Sequence, residues 1–122
     1  ACAAGLATLN ILKQDGVYDG IFDTGRKVME GLQDILDKSE IPGKVVGESV
    51  LFDVFFTSEE IYDYRSALKA DSQKLSRFNQ LLLEHGVLKG STKFYFSTEH
   101  DDKDVERTLA AFGAVIEIMR SE

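Results

Sequence analysis

At 122 residues the chain is long enough for one domain with a modest core, and its 43% hydrophobic and 29% charged content is that of an ordinary globular protein. A formal net charge of -7, with Lys and Arg scattered along the chain, argues against a nucleic-acid backbone as partner, and no run approaches the ~20 apolar residues of a membrane span. A single Cys excludes an internal disulfide and two His leave no recognisable zinc pattern, so the expected setting is reducing and cytoplasmic.

The chain opens on ACAAGLATLNIL, apolar from its first residues and with no Ser, Thr, Asp or Asn to cap a helix start. It runs directly into Asn10, Lys13, Gln14 and Asp15, which does not suit a signal peptide, and the expectation is a leader removed or the tail of something longer. Residues 1–40 read as helical. Leu6, Leu9 and Leu12, with Ala3 and Ala7, mark one face of a first helix that ends at Asp15-Gly16. Val28, Met29, Leu32, Ile35 and Leu36 follow the i, i+3, i+4, i+7 spacing of a second, closed by Pro42-Gly43.

Over residues 44–57 the period changes to two. Val50, Phe52, Val54 and Phe56 share one face of a strand and Leu51, Asp53 and Phe55 the other, in a run rich in aromatic and β-branched types that predicts burial. A polar excursion with Tyr62 and Tyr64 follows. Residues 71–85 form a helix started by Asp71 or Ser72, with Leu75, Phe78, Leu81 and Leu82 inward and Gly86 as its stop. Two short strands, VLK and KFYFST, are predicted within residues 86–98. The last helix, residues 101–120, is capped by Asp101 and carries Val105, Leu109, Phe112, Ile116 and Met119 on one seam. Its acidic first turn complements the helix dipole. The whole reads as one α+β domain, an antiparallel sheet of about three to four strands covered by helices.

Few residues combine into chemistry. Ser66-Ala67-Leu68-Lys69 fits the S-x-x-K pattern of penicillin-recognising enzymes, but K-T-G and S-D-N are missing, so a chance match is the expectation. Cys2 has no evident base and reads as a small buried residue. Lys93 and His100 flank the aromatic Phe94-Tyr95-Phe96 and the start of the last helix, where an anion could be held. The structural alternative is a snorkelling Lys93 and a His100 that hydrogen-bonds near the cap. No nucleophile, base and orienting group converge, so no catalytic, cofactor-binding or metal-binding residue is assigned.

Three stretches carry a resemblance to one family. ACAAGLATLNIL resembles the helix that follows a Gly-Asn-Pro segment in class III pyridoxal-phosphate (PLP) aminotransferases. The stretch FFTSEEIYDYRSALKADSQKLSRFNQLLLEHGV is similar to the glutamate-1-semialdehyde 2,1-aminomutase branch, and STEHDDKDVERTLAAFGAV resembles that family's closing signature. The resemblance implies that the chain is the C-terminal small domain of a fold-type I enzyme which moves an amino group through a pyridoxamine intermediate. PLP and its Schiff-base lysine would lie in a large domain upstream, so the fragment alone would be inactive.

Implied with it are an amino-acid substrate, a homo-oligomer, and Lys93 and His100 as substrate-mouth candidates. The chain departs from the branch where LKGSTKF replaces a longer Ala-Pro-Ser loop that borders the substrate, which leaves a β- or ω-amino acid open as substrate. The reading from another class is a freestanding α+β ligand-binding or regulatory module without catalysis.

Overall fold

The computed structural model describes residues 1–122. Two helices come first, α1 over Cys2–Leu12 and α2 over Val17–Ser39. Strands β1 (Lys44–Glu48) and β2 (Leu51–Phe55) form a hairpin, followed by the short α3 (Tyr64–Ala67), α4 (Ser72–Glu84), β3 (Phe94–Tyr95) and α5 (Asp102–Ser121). The three strands form one antiparallel sheet in the order β1-β2-β3. Lys44 faces Phe55 and Val45 faces Val54 in the first pair, and Leu51 faces Tyr95 and Phe52 faces Phe94 in the second.

The alternation in β2 sends Phe52 and Val54 to one face, where they join Val28, Leu32 and Leu36 of α2, Phe78, Leu81 and Leu82 of α4, and Val105, Phe112, Val115 and Ile116 of α5 in a single core. Phe112 packs edge-on to Phe94 at 5.5 Å and tilted on Phe78 at 6.0 Å, tying α5 to β3 and α4. Gln33 fastens α2 to β1: its Oε1 accepts from the Val45 N–H at 2.9 Å and its Nε2 donates to the Gly43 carbonyl at 3.3 Å. At the other end of the hairpin Gly25 of α2 touches the turn between β1 and β2 so closely that a Cβ there would lie 1.8 Å from the Ser49 carbonyl oxygen.

The helix ends follow the capping residues. Asp71 accepts from the N–H groups of Gln73 and Lys74, and Asp101 forms a capping box with Asp104. Gly86, at φ 80°, takes the left-handed conformation that follows a helix end, while the Val87 N–H donates back to the Leu82 carbonyl at 2.9 Å.

The structure corrects two expectations, the strand at residues 87–89 and the burial of Cys2. Residues 87–89 do not form a strand, since no other strand lies alongside them, and β3 is only two residues long, preceded by a turn whose carbonyls at residues 90–92 are taken by side chains. The first helix turns no side chain inward: none of its residues is buried, and Leu6, Leu9 and Ile11 are all more than half exposed. Cys2, expected to be buried, is therefore exposed. No helix is long and apolar enough to cross a membrane.

Candidate functional site

Helices cover one face of the sheet; the other carries Leu51 and Tyr95, both exposed, together with Asp53 and Phe55. Along this face runs an open groove of about 560 Å³, floored by Val46 and Phe55 and walled by Ile61, Tyr64 and Leu68, with Lys93 at its edge. Its volume lies in the range of small-molecule sites, and apolar walls with few polar groups are their usual lining. The wall is held in place by Asp63, whose carboxylate accepts from the Ser66 N–H at 2.7 Å while the Asp63 N–H donates to Ser66 Oγ at 3.0 Å. These hydrogen bonds favour the ionised form and hold the Asp63 carboxyl below its ordinary range.

Asp53, which also lines the groove, belongs to a buried ion pair. Asp53 sits in the middle of β2 at 3% exposure, and the Lys89 side chain, with no exposed surface, brings Nζ to 3.2 Å from Asp53 Oδ1. The same ammonium donates to the Thr92 carbonyl at 2.8 Å and to the Gly90 carbonyl at 3.3 Å, and lies 4.9 Å from the centre of the Phe94 ring. Asp53 Oδ1 also accepts from the Val54 N–H at 2.8 Å. Burial pushes the Asp53 carboxyl up and the Lys89 ammonium down, and the attraction between the two opposes both shifts. A charge this deep is tolerable only because it is both paired and hydrogen-bonded.

Of the two mouth candidates, Lys93 is half-buried between this groove and a smaller cavity of about 130 Å³, and it has neither an ion-pair nor a hydrogen-bond partner. His100 lines the smaller cavity too, so the structure brings the two together there. His100 is nonetheless exposed and committed locally: its Nδ1 accepts from the Ser97 N–H at 3.1 Å and its ring stands edge-on to Phe96 at 5.6 Å. This is the cap-side hydrogen bonding offered as its structural alternative.

Ser66 and Lys69 do not meet as a catalytic pair. Ser66 is buried in the capping box, and Lys69 Nζ binds Glu59 at 2.8 Å. Sequence reasoning missed the pairing of Asp53 with Lys89. The available signal was an acid inside the apolar run LFDVFF, where burial demands a partner of opposite charge.

Neither Lys89 nor Lys93 sits in a cradle for PLP. Lys89 is enclosed and engaged by Asp53 and two carbonyls, so its amine has no access to a carbonyl carbon. Lys93 is free, but the helix start that borders its groove belongs to α3, where the Asp63 carboxylate already occupies the anion's place.

No family model matches the chain. It is 35% identical over 112 residues to glutamate-1-semialdehyde 2,1-aminomutase of Desulfitobacterium hafniense (strain DSM 10664 / DCB-2), an alignment that spans 89% of this chain and 26% of the relative. The aminomutase of Persephonella marina (strain DSM 14350 / EX-H1) matches at the same identity and coverage. Among solved structures, the PLP internal aldimine form of the FumI protein from Sphingopyxis sp. MTA144 superposes on 96% of this chain with a TM-score of 0.80 at 19% identity. An omega-transaminase from Sphaerobacter thermophilus covers 82% with a TM-score of 0.76 at 22% identity. The matches agree with the resemblance, read from the motifs, to a domain of the class III PLP-dependent aminotransferases, and the fold is that of part of a PLP-dependent enzyme. Within that class its sequence is similar to the glutamate-1-semialdehyde 2,1-aminomutases. The chain spans about a quarter of the length of the relatives it matches.

Proposed function

We propose that the chain is the C-terminal small domain of a longer PLP-dependent aminotransferase or aminomutase of the glutamate-1-semialdehyde type, acting on an amino-acid substrate in the cytoplasm as a homo-oligomer. The observation that carries this reading is a sequence likeness to one enzyme running along 89% of the chain. Bound PLP acts as an electron sink for the amino-group chemistry. The family resemblance assigns the lysine that holds it to the large domain, and Lys89, enclosed against Asp53, is closed to that role.

The part played by this chain is to shape the substrate mouth. The groove on the open face of the sheet supplies apolar walls, and Lys93 places a positive charge at its edge for a substrate carboxylate. His100 lines the adjoining cavity, with its ring held by Ser97 and Phe96.

Absorbance provides the test. The chain mixed with PLP is expected to give no visible band that borohydride fixes onto lysine, whereas the full-length protein gives one that maps outside these 122 residues. A borohydride-fixed label on Lys89 or Lys93 would overturn the assignment of the cofactor to the large domain.

Helix α1 provides a second expected result. Its residues are apolar apart from Thr8 and Asn10 and none is buried, so in the full-length protein the large domain would cover them. The isolated chain is expected to self-associate through this helix, since each Å² of apolar surface removed from water contributes about 25 cal/mol. Sedimentation over a concentration series checks this. Leu6→Glu with Leu9→Glu should return the chain to a monomer, and a wild-type chain that stays monomeric at every concentration would count against the covered-helix reading.

A further inference from the structure

The ladder between β2 and β3 ends after two residue pairs, Leu51 with Tyr95 and Phe52 with Phe94. Continued by one step, that register would set Asp53 opposite Lys93. In place of a third pair, side chains hold the approach to β3. Lys89 Nζ donates to the carbonyls of Gly90 and Thr92 while bound to Asp53, and Asn79 Nδ2, reaching from α4, donates to the Ser91 carbonyl at 3.2 Å. Three consecutive carbonyls, those of residues 90, 91 and 92, are therefore satisfied by side chains, two of them by one buried ammonium. The residue that follows is Lys93, the unpartnered cation at the groove.

We propose that Lys89 and Asp53 are positioning residues: the buried pair fixes the turn at residues 89–92 and so holds Lys93 at the mouth of the groove, where it receives an anionic, carboxylate-bearing ligand. The inference rests on the mouth reading given under Proposed function. A buried pair is a poor source of net stability compared with apolar residues of similar volume, and what this one supplies is hydrogen bonding that sets the conformation of the turn. Because Asp53 neutralises Lys89, the charge left facing the groove from this turn is that of Lys93. Asp63 adds one carboxylate on the opposite wall, tied into the start of α3.

The test uses the full-length protein and the double variant Asp53→Leu with Lys89→Met, which removes both charges together and keeps apolar volume in their place. Amide hydrogen exchange at Phe94 and Tyr95, the ladder residues that the turn leads into, is read beside the melting temperature, and acetylation of Lys93 is followed with and without glutarate as a dicarboxylate probe. Expected are a melting temperature close to wild type, exchange at residues 94–95 faster by about tenfold or more, and loss of the glutarate protection that wild-type Lys93 shows. A purely structural pair predicts no such split between global stability and the turn. Wild-type exchange and intact protection in the double variant would overturn the positioning role. If glutarate fails to protect Lys93 even in the wild-type protein, the mouth reading falls instead, and with it the purpose assigned to Lys93. Faster exchange in the variant would then still identify the pair as the lock on the turn.

Discussion

Replacing Phe112 with alanine is expected to destabilise the protein by about 3–5 kcal/mol, the range for truncating a fully buried aromatic side chain. Its ring has no exposed surface and contacts the rings of both Phe78 and Phe94, so the cavity left behind opens between α5, α4 and β3 together. Lys103→Ala, on the exposed side of the same helix, should change stability by less than about 0.5 kcal/mol. Urea unfolding of the two variants checks the contrast. Equal, small losses would show that the seam of α5 does not carry the core.

A second large loss is expected from the smallest possible addition. Gly25→Ala places a methyl group 1.8 Å from the Ser49 carbonyl oxygen and 2.6 Å from its carbonyl carbon, and both atoms are backbone. The turn between β1 and β2 must then move away from α2, at a cost of about 3 kcal/mol, the upper part of the usual range for overpacking. Alanine's better helix propensity offsets only about 1 kcal/mol of this. Gly113→Ala in α5 is the control, because a Cβ there meets nothing within 4 Å. It should raise stability by about 0.5–1 kcal/mol. Thermal unfolding that finds both substitutions stabilising would mean that α2 and the hairpin are not in contact at Gly25.

The long amphipathic helices were legible in the sequence because periodicity is a property of neighbouring residues. Val28, Leu32 and Leu36 in α2, and Val105, Phe112 and Ile116 in α5, repeat at helical spacing and are buried as expected. The caps at Asp71 and Asp101 and the stop at Gly86 were equally local, since each needs only a short side chain or a permissive φ beside a helix end. The alternation in LFDVFF likewise placed Phe52 and Val54 in the core.

What tertiary structure alone decided was which surfaces meet. The apolar residues of α1 have the composition of a buried helix, yet exposure depends on whether another layer covers them, and none of this chain's layers does. VLK has strand composition, but a strand needs a partner with free N–H and C=O groups at the right distance, and no other strand of the fold lies alongside residues 87–89. Asp53 and Lys89 lie 36 residues apart, and nothing in either neighbourhood specifies the other. The fold brings the charges together in the interior, where low polarity makes an unpaired charge so costly that a partner becomes obligatory.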